Sequence, residues 1–133
     1  MNTRESASVA ATAVPSGDEP LPLTGVRVLD LGHVFQGPYA TFLMALAGAE
    51  VIKIEAPKGD MSRARGRDGD YPFKALNGCK KGIVLNLKDP RGKELLLQLA
   101  KSADVLVENF APPVMPRLGL GRSEEHTSEL QSH

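Results

Sequence analysis

Tryptophan is absent from this 133-residue chain, aromatic residues make up 5% of it, and cysteine occurs once, at Cys79. A lone cysteine excludes an internal disulfide framework and a multi-cysteine metal site, and it is the pattern expected of a reducing, cytoplasmic setting. No sign of charge dominates: Lys plus Arg equal Asp plus Glu, at 16 each. That balance excludes a strongly basic nucleic-acid binder and an acidic disordered tail. No apolar run approaches the roughly 18–20 residues that cross a bilayer as a helix, so no membrane partner is expected. Neither G-x-G-x-x-G nor G-x-x-x-x-G-K-[ST] occurs, so the usual dinucleotide and nucleotide-triphosphate loops are missing. No fixed-period repeat is present.

The two ends differ in composition from the middle. Residues 1–21 are rich in Ser, Ala, Thr and Pro and carry one Arg against Glu5, Asp18 and Glu19. They bury too little apolar surface to offset the entropy of ordering, and they have neither the apolar core of a secretory signal nor the basic character of a mitochondrial presequence. A flexible leader is predicted. Residues 122–133, RSEEHTSELQSH, back-translate to a common DNA-sequencing adapter and are read as foreign to the gene. Residues 22–121 remain, enough for one domain.

The middle alternates strand and helix signals. VRVLDL (26–31) reads as a buried strand with Asp30 its awkward member, GHVFQG (32–37) as a turn, and Pro38 to about Gly48 as an apolar helix with a glycine cap. EVIKIE (50–55) is a second strand. A polar, glycine-rich stretch (56–82) with a short helix near 72–77 follows. IVLNL (83–87) is a third strand. Asp89-Pro90 supplies a helix cap and first position, and Leu95, Leu96, Leu99 and Ala100 form the apolar face behind it. DVLVEN (104–109) is a fourth strand, and a short helix leads to Arg117. The alternation predicts an α/β fold with a parallel, doubly wound sheet and flanking helices.

In such sheets ligands sit beyond the carboxyl ends of the strands, which singles out 32–37, 56–60, 86–88 and 109–117. The residues there allow both active and passive roles. His33 could be an acid–base group or a turn histidine; Gln36 could bond a ligand or cap the turn. Lys88 and Arg117 could hold phosphates or lie solvated. Asn109 and Phe110 could bond and stack on a base, or serve as turn and core. Lys58 with Arg63, Arg65 and Arg67 could form an electrostatic funnel or a solvated face that Asp60, Asp68 and Asp70 partly neutralise. Cys79 reads as a structural thiol rather than a nucleophile. No metal-ligand cluster is apparent.

In order, PLTGVRVLDLGHVFQGPYATFLMALAGAEVIKIE, GD (59–60) and KKGIVLNLKDPRGKELLLQLAKSADVLVENFAPPVMPRLGLG closely resemble the start of the class III CoA-transferases, the CaiB–BaiF (L-carnitine CoA-transferase) family. The resemblance implies a Rossmann-like CoA-binding segment, incomplete on its own, from an enzyme that is an interlocked homodimer when whole. It implies coenzyme A transfer between an acyl-CoA and a carboxylic acid through an aspartyl anhydride and an aspartyl-CoA thioester. By position it places CoA contacts on Phe35 and Gln36, on Leu85, Asn86, Leu87 and Lys88, on Asn109, Phe110 and Ala111, and on Arg117. Two positions depart from the family pattern: Ala56 stands where some members have a basic residue, and Pro112-Pro113 replaces Pro-Gly. The family's catalytic aspartate lies beyond this chain; Asp30, Asp60, Asp68, Asp70, Asp89 and Asp104 do not occupy its place, so the chain alone is expected to be inactive. The alternatives are an α-methylacyl-CoA racemase of the same scaffold, a non-catalytic nucleotide-binding module, or a poorly folding fragment.

Overall fold

A computed structural model of the chain describes residues 19–63 and 70–121. The predicted leader up to residue 18, Arg65, Arg67, Asp68 and the 122–133 tail lie outside the described residues. The elements alternate as β1 (Arg27–Asp30), α1 (Gln36–Leu46), β2 (Glu50–Glu55), α2 (Tyr71–Asn77), β3 (Lys81–Val84), α3 (Pro90–Ala100), β4 (Val105–Val107) and α4 (Val114–Arg117). All strand pairs are parallel, in the order β3-β2-β1-β4. The chain therefore reverses its direction of travel across the sheet between β1 and β4, and the carboxyl ends of those two strands frame a topological switch point. Among the described residues no helix is long and apolar enough to cross a membrane.

Both faces of the inner strands β1 and β2 are covered, as crossover helices require, while β3 at the edge is exposed along its length. Leu29, Leu31, Ile54, Leu85 and Leu96 form one core, on the α3 side. Val28, Ala49 and Val51 form the other, against Met44 and Ala45 of α1. Local chemistry fixes the element ends. Gly48 adopts φ +101° just beyond α1, and a Cβ there would lie 2.7 Å from Leu21 Cβ, so glycine is required twice over. Asp89 caps α3 by accepting the Arg91 N–H at 2.8 Å, with Pro90 in the first turn.

Four details differ from the sequence reading. Helix α1 begins at Gln36, so Pro38 stands third; a proline is tolerated there because the first-turn N–H groups have no intrahelical partner. Strand β3 is Lys81–Val84, two residues before its expected start and shorter at its end. Among the described residues it is an edge strand paired with β2; β2 stops at Glu55, and the Leu85 N–H donates the last ladder bond to the Glu55 carbonyl at 2.9 Å. Strand β4 is shorter than expected, at Val105–Val107. Leu95 is 41% exposed rather than core-facing, while Leu96 carries the packing of α3.

Candidate functional site

A cleft of about 590 Å³ opens at the carboxyl ends of the strands, within the usual range for small-molecule sites. All four expected strand-end segments contribute to its walls. The β1–α1 turn supplies Leu31, Gly32 and His33; the segment after β2 supplies Ala56 to Met61; the β3–α3 connection supplies Leu85 to Lys88; and the segment after β4 supplies Phe110, with Val114 and Leu118 at α4.

The β1–α1 turn is built by close backbone approach. A Cβ on Gly32 would lie 2.8 Å from Gly37 Cα, and one on Gly37 would meet Gly32 Cα at the same distance and Asn109 Oδ1 at 3.3 Å. Only two glycines let the turn close this tightly. Val34, between them, holds φ +64°, a strained conformation for a β-branched residue. Asn109 fastens the turn from across the sheet: its Oδ1 accepts the His33 N–H at 2.8 Å and its Nδ2 donates to the His33 carbonyl at 2.9 Å. The His33 ring lies 5.0 Å from the Phe110 ring, tilted by 31°. Its Nδ1 is buried and has no hydrogen-bond partner among the described residues.

The β3–α3 connection is set by α3. A Cβ on Gly92 would fall 2.1 Å from the Asn86 carbonyl oxygen, so a glycine in the first helical turn is what lets the helix seat against this wall. The Asn86 side chain accepts the Lys88 N–H at 3.2 Å and turns the connection. Lys88 itself is exposed at the cleft.

Beneath the cleft lies a group of buried charges. Asp30 is fully buried. One of its oxygens accepts the Gly32 N–H at 2.8 Å; the other accepts from Thr41 Oγ1 at 2.7 Å and Lys80 Nζ at 2.8 Å. Lys53, its register partner on β2, donates Nζ to the Gly32 carbonyl and lies 3.8 Å from Asp30 Oδ1 and 3.7 Å from Asp60 Oδ2. Burial pushes the Lys80 ammonium below its ordinary pKa, against the opposing pull of Asp30. Burial would raise the Asp60 carboxyl, but the Ser62 hydroxyl and N–H, the Lys53 charge and the Val34 N–H outweigh it and hold it below the ordinary range. The Arg63 guanidinium holds Glu55 low by a bidentate pair at 2.8 Å, against a smaller opposing effect of burial.

Of the ten positions singled out, Leu85, Asn86, Leu87, Lys88 and Phe110 line the cleft. Asn109 supports it through His33. Phe35, Gln36, Ala111 and Arg117 are exposed and stand outside the lining; Phe35 stacks on Tyr39 at 5.6 Å. Arg63 is engaged by Glu55 and lies 3.6 Å over the Phe73 ring, so it is not an open member of a cationic funnel. Among the described residues, the Lys58 and Lys88 ammonium groups are the lining cations, and neither is paired with a carboxylate. Cys79 is exposed, at φ +64°. Sequence reasoning missed Lys53 and Lys80. Their signal was Asp30 inside an apolar strand: a buried carboxylate demands cations, and Lys53 is the lysine that a parallel register sets beside it.

Comparison with known proteins follows the same outline. The family model for CoA-transferase family III matches residues 23–128. The chain belongs to CoA-transferase family III. Its relatives in this family include the formyl-CoA:oxalate CoA-transferases of Streptomyces coelicolor, 48% identical over 101 residues, and of Bradyrhizobium diazoefficiens, 49% identical over 102 residues. Each match covers 73% of this chain but 25% and 24% of those proteins, so the chain spans about a quarter of their length. Among solved structures, a hypothetical protein from Mycobacterium tuberculosis superposes with a TM-score of 0.74 at 38% identity, covering 81% of this chain and 30% of that one. A CAIB/BAIF family protein from Brucella suis gives a TM-score of 0.74 at 31% identity, over 78% and 30% of the two chains. The parallel α/β architecture of this family III chain is thus shared with solved relatives.

Proposed function

We propose that the cleft is the coenzyme A-binding part of a CoA-transferase that moves CoA between an acyl-CoA and a carboxylic acid. The observation that carries this reading is the convergence of Lys88, the Leu85–Leu87 run and Phe110 on one cleft at the switch point of a family III chain. Lys88, with Lys58 beside it, meets the phosphates; main-chain groups of Leu85 to Leu87 bond the nucleotide; Phe110 presents a ring to the adenine. Asn109 holds the turn against which the ligand lies. Phe35, Gln36, Ala111 and Arg117 act at the rim.

The nucleophile comes from the remaining length of the whole protein. Its aspartate carboxylate attacks the thioester carbonyl, the C–S bond breaks, and an aspartyl anhydride and CoA thiolate form. The thiolate attacks the aspartyl carbonyl and releases the donor acid. The acceptor carboxylate and the regenerated thiolate then repeat the two steps in reverse on the new acyl group. Among the described residues, Asp30 and Asp60 are buried in ion pairs, Asp89 caps α3, and Asp104 Oδ2 accepts the Arg27 N–H at 2.8 Å. This chain alone therefore binds CoA and does not turn it over. The whole protein works as a homodimer, with formyl-CoA and oxalate, named for its relatives, as the first donor and acceptor to assay.

Titration of the 133-residue chain with CoA, NAD and ATP tests the reading. CoA is expected to bind best, and Lys88→Ala and Phe110→Ala are each expected to weaken it by roughly tenfold, the scale of one charge-assisted contact or one aromatic stack. A preference for NAD, or CoA affinity indifferent to both substitutions, overturns it.

A further inference from the structure

Lys53 does not line the cleft, yet it touches what does. Its ammonium is 3% exposed and donates to the carbonyl of Gly32, and it stands 3.7 Å from Asp60. Asp60 accepts the N–H and hydroxyl of Ser62, at 2.7 and 2.5 Å. The pair thus grips the Gly32–Val34 turn at the carbonyl before His33, through Lys53 with Asp60 behind it. Asn109 holds His33 itself. The same carboxylate anchors the glycine-rich segment after β2, whose Asp60 N–H donates to Glu55 at 3.1 Å.

We propose that Lys53 and Asp60 are a positioning pair, which holds the Gly32–Val34 turn and the Gly59–Ser62 segment in register and so sets the His33–Phe110 wall of the cleft. A turn with Val34 at φ +64° does not hold itself; strained backbone persists only where its surroundings over-determine it. The Lys53 bond to the Gly32 carbonyl, with Asp60 behind it, acts beside the Asn109 bonds to His33 to do so. A buried ammonium between two carboxylates is also a poor source of net stability, since desolvation offsets much of its attraction. Geometry is the better account of its place here.

This inference rests on the CoA reading for its affinity arm alone. The test compares Asp60→Asn, which keeps the shape and removes the charge, with the charge-balanced Lys53→Met/Asp60→Asn variant, in which Asp30 retains Lys80. The measurements are amide hydrogen exchange without ligand, the melting temperature and CoA affinity. Exchange at the bonded turn amides of Gly32 and His33 and across Gly59–Ser62 is expected to rise about tenfold or more while the β1 and β2 amides keep their protection. CoA binding is expected to weaken only where that opening makes the displaced turn a major population, because affinity follows the fraction of chains with the turn in place and not the exchange rate. Unchanged exchange at Gly32 and His33 overturns the proposal, as does a rise spread evenly over β1 and β2, which would mark a merely structural role. If the wild-type chain does not bind CoA, the functional reading fails and the exchange data still decide the positioning role. If Asp60→Asn alone does not fold, the balanced double variant carries the test.

Discussion

Asp30 shows how a single residue organises the molecule. A carboxylate with no solvent exposure in the central strand is tolerated only when its charge and lone pairs are all met. Here an N–H, a hydroxyl and the Lys80 ammonium meet them, with Lys53 beyond. Lys80 also donates to the Pro38 carbonyl and to Asn77 Oδ1, both at 2.8 Å, so one ammonium joins the start of α1, the end of α2 and β1. Lys80→Met leaves Asp30 facing only the more distant Lys53. It is expected to destabilise the chain by about 3–5 kcal/mol, the range for breaking a buried pair from one side. Urea unfolding would measure this; a change below about 1 kcal/mol would mean that the buried charges compensate one another without Lys80.

Elements carry the same logic at longer range. The first turn of α3 is at once a cap and the back wall of the Leu85–Lys88 connection, because Gly92 seats it against Asn86. Asp89→Ala removes the acceptor of the Arg91 N–H and is expected to cost about 1 kcal/mol by denaturant titration. Weaker CoA binding should accompany it if the connection shifts with the helix end. Much at this scale was legible in the sequence. The Asp-Pro cap, the glycine after α1, the β2 bounds and the four strand-end segments follow from local chemistry and periodicity. The misplaced parts depend on neighbours distant in sequence. The end of β3 is set by where β2 stops. In EVIKIE the Val51–Lys53 side carries a charge, yet Val51 and Lys53 are as buried as Ile54, because helices cover both sides of this inner strand. The close approach of Gly32 and Gly37 was readable as a tight turn. Its fastening by Asn109, 76 residues away, was not.

For the whole molecule, balanced composition conceals an uneven placement of charge. Among the described residues the cleft lining contains the carboxylates of Glu55 and Asp60, and both are satisfied from within by Arg63, Ser62 and Lys53, leaving Lys58 and Lys88 to face an incoming anion. The same arrangement makes stability depend on acid. Glu55 and Asp60 are both held below their ordinary values of 4.5 and 3.8, in the first case chiefly by Arg63 and in the second by hydrogen bonds and charge that outweigh burial. As pH falls through those ordinary values the unfolded chain takes up protons that the folded chain still refuses, so the unfolded state binds more and stability drops. The contribution of these two groups is therefore complete above about pH 5, one half-unit over the ordinary Glu value, and disappears once the folded carboxyls are themselves protonated. Chemical unfolding followed from pH 7 down to 3 should show stability level at first and then falling, and Asp60→Asn should make that fall shallower while leaving the neutral plateau flat. A fall equally steep in the variant would mean that Asp60 is not a source of the acid sensitivity. The turn it grips would then have to be held by Asn109 and Lys53 alone.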